Sequence, residues 1–240
     1  MTTSLSTVGV GVVTRVPVIA PDIVAAMTAA VDRFRPAGNA RLLAVAGTDI
    51  ADGEVTELDG IVTRRRVESD SARIHQDVRA TAADGSVVYT IRLQWSVADT
   101  DPGHVGIADV GSVEWGKQLA ARLSKDDGFV SSVSTFDGTI GIVSGDEQVR
   151  FRIYRGQIVE TARKSLDGPT FDITADERTW VELLLGEYDD YVRLAARGRF
   201  RILGSGFQYL RMTRTVRLMV TAARAMAAEH MAGEHDADQR

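Results

Sequence analysis

The side chains able to do chemistry are few and scattered. The 240-residue chain has four histidines, His75, His104, His230 and His235, and no cysteine. The missing thiol excludes disulfides, thiolate metal sites and cysteine nucleophiles. No two histidines stand at ligand spacing on one element, so no histidine-bound metal is expected. His75 alternates with Arg73, Asp77 and Arg79 on a strand pattern, which puts all four on one polar face. A solvated strand face and the wall of a polar pocket, with the imidazole near its titration point, both fit that placement. His104 falls in a polar connection, and His230 and His235 fall in a polar tail that should fray.

The carboxylates Asp49, Asp52, Glu54, Glu57 and Asp59 gather around Gly53 and Gly60. A calcium loop needs oxygens at alternating positions and a closing bidentate glutamate. This run lacks that order and reads as an exposed acidic loop. Gly9-Val10-Gly11 and Gly204-Ser205-Gly206 complete neither the dinucleotide nor the P-loop pattern, and Gly-x-Ser-x-Gly is absent. No catalytic residue, metal ligand or cofactor is therefore assigned. In Arg64-Arg65-Arg66, strand alternation splits the charges across two faces, burying the middle member, which would then need a carboxylate partner. Arg211, Arg214 and Arg217 share a helix face with Arg224, opposite Leu210, Val216, Met219 and Val220. That face is either solvated or a contact for an acidic lipid head group or acidic partner.

The formal net charge of −5 and a pI near 5.4 argue against general nucleic-acid binding. Hydrophobic residues make up 44% and charged residues 25%, values that suit a globular chain with a real core. A chain of this length buries roughly 70% of its unfolded surface and needs no staples. Lysine occurs only at Lys117, Lys125 and Lys164, so the basic residues are nearly all arginine, as in a bacterial-like, GC-rich coding bias. The opening MTTSLSTVGVGVVTRVPVIAP lacks a basic start and an unbroken apolar run, and is a poor secretory signal. No apolar stretch reaches the roughly 20 residues of a membrane span, so a cytoplasmic protein without transmembrane segments is expected.

The elements that must position these residues come in two groups. Val8 to Ile19 suits an opening strand, and Pro21-Asp22 starts a helix with Ile23, Met27, Ala30, Val31 and Phe34 on one face. Pro36-Ala37-Gly38 ends it. Strands follow around Leu42 to Ile50 and Ile61 to Val67. Arg73–Ala82 and Val87–Val97 then flank Ala83-Asp84-Gly85-Ser86, a tight-turn signal for a hairpin. Val87, Tyr89, Ile91, Leu93, Trp95 and Val97 share one face of its second arm. The polar stretch Ala98 to His104 marks a boundary. Beyond it Ser112 caps a helix bearing Trp115, Leu119 and Leu123. Strands run over Thr139–Val143, Val149–Tyr154, Ile158–Ala162 and Thr170–Ile173. Thr174 with Glu177 makes a capping box for the helix of Trp180, Leu183 and Leu184, which Gly186 ends. A helical piece at Tyr191–Ala196, a strand at Phe200–Gly204 and one long helix from about Phe207 to Ala228 complete the pattern.

This order, together with several local phrases, resembles a sterol-carrier-protein-2 type lipid-binding domain. The phrases are Ser112-Val113-Glu114-Trp115 before a helix and Gly128-Phe129, then Phe136-Asp137-Gly138-Thr139-Ile140-Gly141-Ile142. Phe171-Asp172-Ile173-Thr174 with Trp180 and Leu183-Leu184-Leu185-Gly186-Glu187 follow, and then Gly198-Arg199-Phe200-Arg201-Ile202-Leu203-Gly204. The resemblance spans Ser112 to Arg224; Gly204-Ser205-Gly206 departs from the Gly-Asp usual after the late strand. It implies an α+β fold of antiparallel sheets, each covered by helices, with the family's domain in the C-terminal half. The boundaries are then 1–103 for a sheet-and-helix domain of unassigned family, 112–228 for the lipid-binding type domain and 229–240 for a polar tail. For the first domain, cystatin-like and hotdog-like sheets on one helix both fit.

What the resemblance implies for function is an apolar tunnel holding a sterol, fatty acyl or polycyclic lipid-like ligand, for transfer or presentation. Phe136, Ile140, Ile142, Phe151, Ile153, Trp180, Leu184, Phe200, Ile202, Phe207, Leu210 and Met219 would converge there between sheet and helices. Tyr154, Gln208 and Tyr209 are candidates for polar contacts, and Met212 for an adaptable wall. Two other readings stay open. One is a cofactor-independent enzyme on a hydrophobic metabolite, with His75, Asp77 and Tyr89 as acid–base groups. The other is an assembly module, a homodimer pairing through the Arg73–Val97 hairpin. The expected partners are the apolar ligand, transiently a membrane surface, and a second copy of the chain, with no nucleic acid among them.

Overall fold

The computed structural model describes residues 10–11, 13–36, 39–67, 71–98, 109–166 and 168–237. The chain is α+β and divides into two compact units, Met1–Ala108 and Asp109–Arg240. Residues 99–104, His104 included, and the side chains of His230 and His235 lie outside the described residues.

The first unit is a five-stranded antiparallel sheet with one helix. Its strands are β1 (Val13–Ala20), β2 (Ala40–Asp49), β3 (Val55–Val67), β4 (Ser71–Thr81) and β5 (Val87–Ala98), in the order β1-β3-β4-β5-β2. Helix α1 (Ile23–Arg33) begins where Asp22 Oδ1 accepts the Ala25 N–H at 2.8 Å, filling one of the donors a helix start leaves unmet. Small Ala26 and Ala30 are its buried residues and let the helix approach closely. Two glycines in the sheet receive its larger side chains. A Cβ on Gly60 would lie 2.1 Å from Phe34 Cε1, and one on Gly47 would lie 2.8 Å from Met27 Sδ.

Three expectations fail in this unit. Asp49 to Asp59 is not one exposed loop, because Val55 and Leu58 are fully buried and carry Glu57 and Asp59 into the β3 ladder. Arg64, not Arg65, is the buried arginine, at 5% exposure. The cause is a bulge between Val62 and Arg64, whose extra residue resets the alternation. Finally, the hairpin of β4 and β5 is interior, since β4 pairs with β3 and β5 pairs with β2. Its alternating pattern suits a strand with two neighbours as well as an edge. The hairpin thus has no free edge for a second copy, and the sheet's outer strands are β1 and β2.

The second unit holds a five-stranded sheet in the order β10-β9-β6-β7-β8. β6 (Asp137–Ser144), β7 (Glu147–Tyr154) and β8 (Gln157–Ala162) form an antiparallel meander. β9 (Phe171–Ala175) returns parallel to β6, and β10 (Arg201–Gly204) closes the sheet antiparallel to β9. The helices are α2 (Val113–Leu123), α3 (Asp127–Ser132), α4 (Glu177–Leu185), α5 (Tyr191–Ala196), α6 (Gly206–Arg211) and α7 (Thr213–Ala237). α7 packs on α2, α3 and α4, and α2 lies on β7 and β8. Ile140, Ile142, Phe151, Ile153, Phe171 and Ile173 form the buried sheet face.

Here too the boundaries differ in instructive ways. α4 is capped by Asp176, whose side chain accepts the Thr179 N–H at 2.6 Å, while Thr174 stays in β9. An aspartate one residue before the helix supplies the charge-assisted bond, so the Thr174–Glu177 box is not used. The expected single C-terminal helix is two. Thr213 Oγ1 donates to Leu210 O at 2.8 Å, taking a carbonyl that helical N–H groups would use. Met212 caps α6, and α7 continues through the polar segment after residue 228 to Ala237.

Replacing Gly60 with valine should lower stability by about 1–3 kcal/mol through overpacking against Phe34. Urea unfolding monitored at Trp95 tests this, and Phe34→Leu in the same chain should restore part of the loss.

Candidate functional site

Phe171, Trp180, Tyr191, Phe200 and Tyr209 of the second unit meet toward the β9–β10 edge of the sheet. The Asp176 cap fixes the phase of α4 and points Trp180 inward, where its Nε1–H donates to Val143 O at 2.8 Å. Phe200 stands edge-on to Trp180 at 4.9 Å between centroids, and Tyr191 tilts against Phe200 at 5.1 Å. On the other side, Phe171 meets Tyr209 edge-on at 5.7 Å. Such geometries set the positive ring edge against the negative face and add about 0.5–1.5 kcal/mol per pair.

The polar feature of this group is a pair of phenols. Tyr191 and Tyr209 oxygens lie 3.0 Å apart, and either can be the donor. Whichever donates, the accepting phenol keeps its own proton to give elsewhere. Tyr191 is 1% exposed and Tyr209 is half-buried, so Tyr209 is the member within reach of an incoming molecule. Burial first, and then the bond to Tyr209, hold the Tyr191 phenol far above its ordinary value of 10.0.

α6 carries Tyr209 yet buries no side chain of its own. It enters from Gly204, whose φ of +95° is open to glycine, and there a Cβ would sit 2.7 Å from Thr170 O. Ser205 then donates its N–H to Thr170 O at 2.9 Å, and its hydroxyl accepts the Gln208 N–H at 3.2 Å. Beneath, a polar cluster braces the cluster wall: Arg199 reaches Thr179 Oγ1 at 2.6 Å and Glu182 at 3.1 Å. Arg224 of α7 donates to Leu183 O and, at 2.6 Å, to Gly186 O. It thereby satisfies the carbonyls at the end of α4, and is not a member of a solvated arginine face.

Of the twelve expected lining residues, Phe136, Ile140, Ile142, Phe151, Ile153, Trp180, Leu184, Phe200 and Met219 are buried, and Ile202 is half-buried. Phe207 and Leu210 do not converge with them; they are 68% and 70% exposed. Helical spacing is the reason, because it sets them seven residues before the exposed Arg214 and Arg217. Tyr154 is 42% exposed at the far end of β7, under the Arg155 guanidinium, and so is separate from the tyrosine pair. Gln208 is half-buried next to Tyr209 in sequence, and Met212 is buried. Phe171 and Tyr191 belong to the aromatic group although they were not among the twelve expected residues. Phe171 begins a short strand, and only the aspartates Asp189 and Asp190 before Tyr191 hinted at an ordered turn there.

On the opposite face of the same sheet, Asp172 accepts from Arg150 at 3.2 and 3.4 Å, crossing above Gly141. A Cβ at Gly141 would sit 1.8 Å from Asp172 Oδ1, so the glycine makes the crossing feasible. In the first unit, His75 and Asp77 are register partners of Gln94 and Arg92, whereas Tyr89 pairs with Ala80. Residues one apart in a strand face opposite ways, so Tyr89 lies across the sheet from His75 and Asp77. The three do not form one acid–base set. Among the described residues no three His, Asp or Glu side chains converge as metal ligands.

No family model matches the chain, and no curated protein matches it. Among solved structures, one described as sterol carrier protein 2 is similar at 16% identity and a TM-score of 0.42, over 48% of this chain and 98% of that one.

Two outcomes follow from this geometry. Arg224→Ala should cost about 2–3 kcal/mol, because two carbonyls lose a charged donor; Arg224→Lys, which lacks the fork, should recover only part of it in denaturant titrations. Below pH 10 both folded and unfolded chains keep the Tyr191 proton, and its stabilising contribution is complete. As pH rises past the unfolded value only the unfolded chain ionises, so stability falls. Tyr191→Phe should remove about 1.4 kcal/mol per pH unit from the alkaline slope of unfolding free energy against pH.

Proposed function

We propose that the second unit binds a hydrophobic small molecule of sterol, fatty acyl or polycyclic type, for transfer or presentation. The observation that carries this reading is the aromatic group closed by α6, a helix that buries none of its own side chains and offers a phenol pair beneath it. A cover with so little buried surface is cheap to displace, and local opening of that kind is how an apolar guest gains access. The guest would lie against Phe171, Trp180, Leu184, Phe200 and Met219, gaining about 2.5 kcal/mol for each 100 Å² of apolar surface removed from water. The proton left over by the tyrosine pair would orient its oxygen, as a single well-placed polar group does in a largely apolar site. The phrases between Ser112 and Arg224 that resemble a lipid-binding domain support the same assignment.

Native mass spectrometry of freshly purified protein, with solvent extraction of whatever is bound, tests the proposal directly. An apolar compound should be recovered, or the emptied protein should bind cis-parinaric acid or a fluorescent sterol saturably at one site. Tyr209→Phe should weaken that binding about three- to tenfold, the worth of one hydrogen bond, while the circular dichroism spectrum is unchanged. Recovery of no apolar compound, together with no saturable binding of either probe, would overturn it.

A further inference from the structure

We infer that the segment from Arg201 to Arg217 docks the protein on an anionic lipid surface. Every exposed residue in that segment is of one of two kinds, glycines aside. Arg201, Arg211, Arg214 and Arg217 are cationic; Leu203, Phe207 and Leu210 are apolar. The apolar members are 53%, 68% and 70% exposed, among the largest apolar side chains the chain leaves in water. Phe207 and Leu210 stand three residues apart on α6, hence on one side of it. The Arg211 guanidinium lies 5.8 Å from the Phe207 ring, so charge and apolar surface are in contact.

The charge in this part of the chain is one-sided. From Tyr191 to Ala228 there are eight arginines and not one aspartate or glutamate, in a protein whose net charge is −5. Three of the eight are committed: Arg193 pairs with Asp190, Arg199 with Glu182, and Arg224 holds the end of α4. Arg197, Arg201, Arg211, Arg214 and Arg217 make no ion pair among the described residues. Selective exclusion of acidic residues from one surface complements a negatively charged partner.

The apolar residues decide what kind of partner. A nucleic acid or an acidic peptide is satisfied by arginines and has little use for an isolated Phe and Leu on a short helix. The boundary between lipid head groups and acyl chains accepts isolated apolar side chains without needing a complementary groove, while arginines reach the phosphates above. No described helix is long and apolar enough to cross a membrane, so the contact is interfacial. This inference does not rest on ligand binding; the surface would act in the same way on a protein with an empty second unit.

Co-sedimentation of the full chain with phosphatidylcholine vesicles, with and without phosphatidylglycerol, is the test. Binding should require phosphatidylglycerol and should be lost at about 0.5 M NaCl, where screening removes most of the attraction. Each arginine near an anionic surface contributes about fivefold, so Arg211→Glu with Arg214→Glu should weaken partitioning at least about 25-fold. Arg33→Glu with Arg41→Glu, an equal change of charge on the first unit, should weaken it far less. Phe207→Ser with Leu210→Ser should weaken it about tenfold or more, and Phe207→Trp should shift its emission to the blue on vesicles. Absence of vesicle binding overturns the inference, as does equal binding to pure phosphatidylcholine or equal loss in the first-unit variant. So does binding to soluble polyglutamate as tight as to vesicles and insensitive to Phe207 and Leu210, which would point instead to an acidic protein.

Discussion

The hydroxyl of Thr213 marks the junction of the two C-terminal helices, α6 and α7. It donates to Leu210 O and more weakly to Tyr209 O, two carbonyls that a continuous helix would give to backbone N–H groups. A hydroxyl that competes for its own helix's acceptors slightly destabilises and often bends that helix. α6 turns Tyr209 to Tyr191 and leaves Phe207 and Leu210 in solvent. Helical spacing agrees with this: Phe207 and Leu210 stand seven residues before the exposed Arg214 and Arg217, whereas Gln208 and Tyr209 stand seven before the buried Thr215 and Val216.

The elements around α6 are more deeply buried than it is. α7 buries Val216, Met219, Val220, Ala223 and Ala227 against its neighbours, and Thr215 bonds Ser132 of α3 at 3.0 Å. Arg224 ties the same helix to the end of α4, so the wall bearing Trp180 and the floor beneath it are one rigid piece. The Arg150–Asp172 tie spans β7, β6 and β9 on the back of the sheet. Against such a frame, a helix with no buried side chain is the part most easily lifted.

Much of the fold was legible because its signals are local. Asp22 and Ser112 before apolar helical spacing, Asp84-Gly85 between alternating arms, and Gly186 after Leu183-Leu184-Leu185 each have one physical outcome. What was not legible depended on competition between neighbours. Thr174 and Asp176 both offer a cap, and the carboxylate wins by charge. The bulge at Thr63 cannot be seen in a row of similar residues. The same limit applied to the site: nine of the residues expected inside are buried, because apolar alternation reports burial well. Tyr191 and Phe171 went unnoticed, because a tyrosine pair is made by two elements distant in sequence. Phe207 and Leu210 lie outside because helical spacing aligns them with the exposed Arg214 and Arg217, and apolar character alone does not report burial.

The three consecutive arginines of β3 carry a consequence for how that strand finds its partners. Strand register is ordinarily written in the alternation of side chains, and a slip by one residue is punished by apolar groups facing water. Arg64, Arg65 and Arg66 are identical, so sliding this end of the strand by one step puts the same side chain on each face as before. The information must reside elsewhere, and the nearest unambiguous mark is Gly60, where only a missing side chain admits the Phe34 ring. One glycine thus indexes a strand whose own letters repeat, and the helix that reads it acts as the ruler for the sheet.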